Sequence, residues 1–281
     1  TTAGTIGFNS PDGVGSVSLG GHVLTTTSQT FAPELINGVL GQLTAYYTVN
    51  ATTGVGTIHY SYTLTDNSSG DATSASFAVV VTDTDGDPSA AGNLVISVVD
   101  DVPVARDDVG TIAAAGTQTS GNVVTGAGVG SVADTVGADG AVVTKVEFGA
   151  TSVNVPATGT TTINGAYGVL TLSANGTYSY VRNAGSQGGK SDVFTYTLTD
   201  GDADSVTAKL TINIGDGTPT ITLPTAGGDG TVVYEAGLPV RGAEPAGSNA
   251  AATTETTAGT IGFNSPDGVG SVSLGGHVLT T

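Results

Sequence analysis

Hydrophobic and polar residues alternate along most of the chain. In TIHYSYTL (57–64), every second residue is apolar or aromatic, namely Ile58, Tyr60, Tyr62 and Leu64. The same pattern recurs in SFAVVV (76–81), NLVISVV (93–99), TYSYV (177–181), VFTYTL (193–198) and KLTINI (209–214). Strict alternation indicates strands with one buried face, and Asn-Gly or Asp-Gly pairs mark turns between them. No stretch has helical spacing with caps, so the pattern predicts an all-β protein built from sandwiches.

The chain begins and ends with the same sequence. Residues 1–26 and 256–281 both read TTAGTIGFNSPDGVGSVSLGGHVLTT, without a mismatch, at an offset of 255 positions. A fixed period is typical of a tandem array. We therefore expect the chain to be a window on such an array, and the absence of methionine agrees with an internal fragment.

A second, weaker repeat divides this period. INGVLGQLT (36–44) matches INGAYGVLT (163–171). TDTDGDPSAAGNLVISVVDDVP (82–103) is similar to TLTDGDADSVTAKLTINIGDGTP (197–219). A competing alignment pairs SYTLTD (61–66) with TYTLTD (195–200), but it separates the last hairpin from the closing Asp-Pro signal.

The preferred alignment predicts two related β-sandwich modules of ordinary domain size. Module A spans residues 1–101 and lacks its first strands, whereas module B is complete and spans residues 102–217. Residues 218–281 then form the incomplete beginning of the next module A.

Composition narrows the classes of function. The formal charge is −18, from 6 basic and 24 acidic residues, which argues against nucleic-acid binding because that requires a basic surface. The chain has no cysteine, so it carries neither a disulfide nor a thiolate metal site. No apolar run approaches the ~20 residues that span a bilayer, so we expect no membrane insertion in this segment.

No catalytic constellation is visible in the sequence. The 3 histidines lack zinc-ligand spacing, and nothing resembles a Ser-His-Asp arrangement in its usual sequence context. Spacing alone leaves open a carboxylate pair for glycoside hydrolysis, but the chain has no tryptophan to form a sugar platform. We therefore expect no enzymatic activity.

Several motifs resemble the extender repeats of giant bacterial adhesins. DVFTYTLTDGDADSVTAKLTINI (192–214), after GVLTLSANGTYSYV (168–181), is similar to VCBS and cadherin-like repeats, and VVDDVPVARDD (98–108) resembles their linker. VVYEAGLPVRGAEPAGS (232–248), followed by GTIGFNSPDGVGSVSLGG (259–276), resembles the repeats of type I-secreted RTX adhesins. The glycine-aspartate nonapeptides of the RTX β-roll are absent.

This resemblance implies tandem Ig-like or cadherin-like β-sandwich modules joined end to end. It also implies an extracellular location at the bacterial cell surface. There, a rod stiffened by calcium projects a distal adhesive domain for surface attachment or biofilm formation.

Acidic residues are concentrated in turns and at the predicted module junctions. Calcium takes six to eight oxygen ligands, and an Asp at every second position of a turn can aim several carboxylates at one point. We predict calcium ligands among Asp83, Asp85, Asp87, Asp100, Asp101, Asp107, Asp108, Asp200, Asp202, Asp204, Asp216 and Glu235. The alternative is that such residues only form turns. We favour that interpretation for Asp12 and Asp267 in the two SPDG segments and for Asp66 and Asp71 beside NSSG.

Strand length predicts which of these clusters meet. The strand around KLTINI has about eight residues, or ~26 Å at ~3.3 Å each, so the preceding loop lies at the N-terminal end of module B. That loop carries Asp200, Asp202 and Asp204, which are expected beside the linker and entry residues at 100–101 and 107–108. By the same reasoning, 83–87 faces the junction before module A, and its next copy faces Asp216, with Glu235 on the entering strand.

The sequence thus predicts a non-enzymatic extender whose partners are the neighbouring repeats of the same chain. Two alternatives stay open. Each repeat could itself bind carbohydrate or another surface, with avidity multiplying a weak contact. The chain could also form an extracellular filament by head-to-tail self-association, in which residues 218–255 of one chain complete module A of another.

Overall fold

The polypeptide is built almost entirely of β-strands. The computed structural model describes residues 1–67, 70, 73–128 and 130–279, and Asp71, assigned above to a loop, lies outside this part. Strands account for 50% and helix for 1% of the structure, so the predicted all-β class is confirmed. None of the described residues forms a helix with the length and hydrophobicity that a bilayer crossing requires.

The chain divides into two compact units. The first comprises Thr1–Arg106, Ala133–Lys145 and Tyr196–Ala208. The second comprises Asp107–Val132, Val146–Thr195 and Lys209–Thr281. The module boundaries predicted near residues 101 and 217 stay predictions.

The first unit contains a sandwich of two sheets. Its strands are β1 (Thr2–Asn9), β2 (Val14–Leu19), β3 (His22–Val23), β4 (Gln29–Thr30), β5 (Glu34–Ile36), β6 (Val39–Val49), β7 (Val55–Leu64), β8 (Ser74–Asp83) and β9 (Gly92–Ser97). One sheet has the order β1-β7-β6-β4, with β5 paired to β6, and the other has the order β3-β2-β8-β9. Tyr62 and Phe77, one from each sheet, meet edge to face with ring centroids 5.4 Å apart. They share one core with Val17, Leu19 and Ile58, because each strand turns its apolar face inward.

The second unit is also built from sheets. The remaining strands are β10 (Asp108–Ile112), β11 (Gln118–Asn122), β12 (Ala141–Phe148), β13 (Thr151–Asn154), β14 (Thr160–Asn164), β15 (Gly168–Ser173), β16 (Thr177–Arg182), β17 (Lys190–Asp200), β18 (Ser205–Ile214), β19 (Thr220–Thr222), β20 (Gly262–Asn264), β21 (Val272–Leu274) and β22 (His277–Leu279). The residues of β12, β17 and β18 are divided between the two units. The sheet orders are β11-β16-β15-β14 and β10-β18-β17-β12-β13, and β10 runs parallel to β18. Two-stranded ribbons pair β19 with β20 and β21 with β22, and one 3-10 helix spans Glu235–Gly237.

A buried carboxylate organises the core of the second unit. Asp192 is 1% exposed and accepts hydrogen bonds from the backbone N–H groups of Ala166 (3.0 Å) and Tyr167 (3.1 Å). It also accepts a 2.6 Å hydrogen bond from the Tyr180 hydroxyl, whose ring packs edge to face on Phe194. Three donors compensate for the desolvation of this charge, so Asp192 fixes the turn after β14 against β16.

Candidate metal centre

The same aspartate-rich loop occurs twice. In the loop from Asp83 to Asp87, the N–H of Asp83 donates to the carbonyl of Asp87 (3.1 Å), and the N–H of Asp87 donates to Asp83 Oδ1 (2.8 Å). In the loop from Asp200 to Asp204, the N–H of Asp200 donates to the carbonyl of Asp204 (3.0 Å), and the N–H of Asp204 donates to Asp200 Oδ1 (2.8 Å). The two loops therefore share one backbone design, with an Asp at the first, third and fifth positions.

Four carboxylates meet at the second of these loops. Asp100, which follows β9, joins Asp200, Asp202 and Asp204, and one oxygen from each lies within 4.8 Å of the others. All four belong to the first unit. We call this group the four-Asp cluster. The structure thus brings Asp100 to the loop where strand length places it.

Two oxygens of the four-Asp cluster are buried without a hydrogen-bond partner. Asp100 Oδ2 and Asp202 Oδ1 are shielded from solvent, whereas the other oxygen of Asp202 accepts a 2.9 Å hydrogen bond from the Gly70 N–H. An unpaired, desolvated carboxylate oxygen is costly, and clustered negative charges repel one another. A hard cation placed among these oxygens would relieve both penalties.

The carboxyl groups of this cluster differ in proton affinity. Burial raises the pKa of Asp200, and the hydrogen bond with Asp202 and the charge of Asp100 act in the same direction. The Gly70 N–H lowers the pKa of Asp202, and the hydrogen bond with Asp200 lowers it further. A cation among these oxygens would favour the ionised form of both carboxyl groups, because its charge opposes protonation.

The first loop forms a smaller and more exposed group. Asp83, Asp85 and Asp87 each place one oxygen within 4.8 Å of the others, and Asp85 and Asp87 are exposed. The hydrogen bond between Asp83 and Asp85 lowers the pKa of Asp83 and raises that of Asp85. Among the described residues, no fourth carboxylate joins this group.

Three linker and entry residues lie outside both groups. Asp101 is exposed. Asp107 Oδ1 accepts the N–H of Lys209 (2.9 Å), and Asp108, which is 0% exposed, accepts the N–H of Val132 at Oδ1 (3.2 Å). These last two carboxylates therefore accept backbone hydrogen bonds in the second unit, a role that spacing alone did not predict.

Asp216 and Glu235 are likewise not brought together as a carboxylate group among the described residues. Glu235 begins the 3-10 helix, whereas Asp216 forms a hydrogen bond with Asp267. Asp267 also accepts 2.6 and 2.5 Å hydrogen bonds from Arg182 and from the Gly217 N–H. The Arg182 guanidinium, followed by the Gly217 N–H, lowers the pKa of Asp267.

Both SPDG segments form the predicted turn. The N–H of Gly13 donates to the Ser10 carbonyl (3.0 Å), and the N–H of Gly268 donates to the Ser265 carbonyl (3.2 Å). Asp267 nevertheless also forms the ion pair described above. A turn motif carries no information about the tertiary partner of its side chain.

Two contacts near the linker were not predicted from the sequence. Asp134 accepts the N–H of Arg106 (2.7 Å) and the hydroxyl of Tyr196 (2.9 Å), and burial raises the pKa of this carboxyl. Gly70 supplies the donor to Asp202 from a loop 132 positions earlier. Asp134 stands in no repeat or turn motif, and a backbone donor leaves no mark in the sequence.

No family model matches the chain, and no curated protein matches it. A cadmium-bound structure of SporoSAG is similar over 77% of this chain and 93% of its own, with 14% identity and a TM-score of 0.23. SporoSAG from Toxoplasma gondii has a TM-score of 0.21 and 13% identity over 76% of this chain and 92% of its own. The endo-fucoidan hydrolase MfFcnA9 of glycoside hydrolase family 107 has a TM-score of 0.21 and 16% identity, and the match covers 76% of this chain and 31% of the hydrolase. Similarities this weak transfer neither fold nor function to the chain.

The fourth residue of each aspartate-rich loop provides a stability prediction. The backbone has a positive φ at this position in both loops, at Gly86 (101°) and Ala203 (86°). A left-handed conformation costs an L-residue about 1–2 kcal/mol, part of which glycine returns as unfolded-state entropy. We expect Ala203→Gly to raise the free energy of unfolding by about 0.5–1 kcal/mol in urea titrations.

Gly86→Ala is the matched control. A Cβ at Gly86 meets no atom within 4 Å, so this change tests backbone strain alone. We expect a loss of about 1 kcal/mol. If the parent, Ala203→Gly and Gly86→Ala have the same free energy of unfolding, backbone strain at this position is refuted.

A second prediction concerns the Asp267 ion pair. The folded-state pKa of Asp267 is depressed, so its contribution to stability is present above the unfolded pKa and disappears as the pH falls through the folded value. Asp267→Asn should therefore lower the melting temperature at pH 7, and the difference from the parent should vanish in strong acid. Asp12→Asn changes the same position of the first copy and should have little effect at either pH. An Asp267→Asn deficit that persists unchanged in acid would refute the ion pair as its source.

Proposed function

We propose that this chain is a structural extender segment of a bacterial surface adhesin. In this proposal it acts as a non-enzymatic rod, and calcium at the four-Asp cluster stiffens the linker between modules A and B. The observation that carries the proposal is the four-Asp cluster itself, with its two buried and unpaired oxygens. The resemblance to adhesin repeats supplies the biological setting.

The chemistry of the donor set fits calcium. Calcium prefers oxygen ligands and accepts carboxylates in one- or two-oxygen contacts, so four aspartates supply most of the six to eight oxygens it needs. Backbone carbonyls or water complete such a shell. Magnesium is a poorer candidate, because it demands a smaller octahedral shell and keeps several of its own waters.

The position of the cluster supports a role in stiffening. Asp100 lies in the linker, and the three other ligands come from the loop between β17 and β18. On either side of Asp100, the described linker residues form backbone hydrogen bonds. The N–H of Val98 donates to Thr73 (3.0 Å), and Val104 exchanges hydrogen bonds of 2.8 and 2.9 Å with Thr135.

A cation at this point would restrain the linker further, because it would tie Asp100 to the loop that carries Asp200, Asp202 and Asp204. Without the cation, four like charges would separate, and residues 98–104 would gain freedom. The proposed mechanism is thus electrostatic, since calcium converts repulsion into a clamp. An extracellular location suits this mechanism, because extracellular calcium modules have dissociation constants of about 10⁻⁴–10⁻³ M.

Calcium titration of the full chain tests the site. After chelator treatment and dialysis, isothermal titration calorimetry should detect calcium binding to the parent protein. Asp202→Asn should weaken binding at the four-Asp cluster at least about tenfold, because it removes the charge of an oxygen that has no other partner. Asp101→Asn is the matched control, since Asp101 lies next to Asp100 but outside the cluster, and it should bind like the parent.

Small-angle scattering tests the function of the site. With calcium, the parent protein should show a narrower spread of overall molecular dimensions than with chelator. Asp202→Asn in calcium should give the same scattering as the chelated parent. Calcium binding without a change in scattering would leave the metal site standing but refute the stiffening role. Equal binding by both variants and the parent would refute the site.

A further inference from the structure

Three hairpins of the chain carry an Asn-Gly pair, at residues 37–38, 164–165 and 175–176. All three asparagines are exposed, and each pair lies between two strands that are hydrogen-bonded to each other. In such a pair, the backbone nitrogen of the glycine can attack the side-chain amide of the asparagine, because glycine has no Cβ to obstruct the approach. The three pairs therefore share the same intrinsic chemistry, and the fold decides how far each of them can react.

The first pair leaves its backbone nitrogen accessible. Asn37 and Gly38 both have a positive φ, at 53° and 85°, and they form a two-residue hairpin turn in which Ile36 pairs with Val39. In the described part of the chain, the N–H of Gly38 donates to no acceptor. A Cβ added at Gly38 would meet no atom within 4 Å. The attacking nitrogen is thus open to solvent, and there is room for a ring to form beside it.

The second pair belongs to the same tripeptide, Ile-Asn-Gly, but it forms a different turn. Here the N–H of Gly165 donates to the carbonyl of Gly168 (2.8 Å). The Asp192 carboxylate, which accepts the next two N–H groups of the turn, occupies the space where a Cβ of Gly165 would lie. The buried carboxylate therefore keeps this turn closed. The nitrogen is occupied by a hydrogen bond, and the space beside it is filled.

The third pair is held on both sides of the reacting bond. The N–H of Gly176 donates to the carbonyl of Ser173 (2.9 Å). Asn175 Oδ1 accepts the N–H of Thr177 (3.0 Å) and the hydroxyl of Ser173 (2.8 Å). A Cβ added at Gly176 would lie 2.6 Å from Val124 Cγ2. Neither the nitrogen nor the side-chain amide is free to move toward the other.

We propose that Asn37 is a site of spontaneous deamidation. After hydroxide removes its proton, the Gly38 nitrogen attacks Cγ of Asn37, closes a five-membered succinimide ring and releases ammonia. Water then opens this ring at either of its two carbonyl groups and leaves aspartate or isoaspartate at position 37. Water and hydroxide are the only other reactants, so the reaction needs no enzyme and no cofactor.

The modification changes a contact between the two sheets of the first unit. Asn37 Nδ2 donates to the carbonyl of Ser74, the first residue of β8, over 3.5 Å. Deamidation replaces this donor by a carboxylate oxygen, so two acceptors then face each other. Isoaspartate also lengthens the backbone of a turn that contains only two residues, which weakens the pairing of β5 with β6. No calcium ligand takes part, so this proposal and the proposed function can fail independently.

Peptide mapping of the aged protein tests the proposal. The full chain is incubated in heavy-oxygen water at mildly alkaline pH and then digested with trypsin in ordinary water, so that only ring opening during the incubation introduces the label. Trypsin places Asn37 in the peptide of residues 1–106 and both other pairs in the peptide of residues 146–182, and fragmentation in the mass spectrometer locates the label. Labelled product should form at Asn37 at least about tenfold faster than at Asn164 or Asn175, because those two must first break a hydrogen bond.

Denatured protein is the matched control. In concentrated urea the three pairs lose their different surroundings, so their rates of deamidation should converge. Asn37→Gln should form no labelled product at position 37 in the folded protein, because the longer side chain closes a larger ring far more slowly. The proposal is wrong if Asn164 or Asn175 reacts as fast as Asn37 in the folded protein, or if Asn37 reacts only in urea. It is also wrong if the preference for Asn37 persists unchanged in urea, because the local sequence would then be its source.

Discussion

A strand with one apolar face is stable only when another sheet covers that face. This constraint underlies every part of the structure, because almost all of its strands alternate apolar and polar residues. In the first unit, β7 and β8 satisfy it by meeting across the core that contains Tyr62 and Phe77. Where the constraint is not satisfied, as along β21 and β22, strands shorten and leucines become exposed.

The sequence contains the information for strands but not for their partners. Alternation in 57–64 predicts β7, and the observed strand, Val55–Leu64, extends it by two residues. The all-β class follows from many such local patterns, each of which needs only neighbouring residues. Strand order depends on contacts between distant segments, and the parallel pairing of β10 with β18 has no local signal.

The candidate site was partly predictable for a similar reason. Strand length correctly places Asp100 near the loop of Asp200, Asp202 and Asp204, because geometry fixes which end of a domain a loop occupies. It does not fix where each carboxylate points. Asp107 and Asp108 are close to Asp100 in sequence, yet both accept backbone N–H groups in the second unit.

The repeated segment has a consequence for how this molecule can be observed. Each residue from 2 to 25 has an identical residue 255 positions later with the same neighbours in sequence. In an NMR spectrum, a difference in chemical shift between the two copies of such a residue therefore reports their tertiary environments, because their local sequences are the same. The chain carries its own internal reference, and amide exchange at Leu19 and Leu274 would measure how much protection packing gives to one and the same peptide.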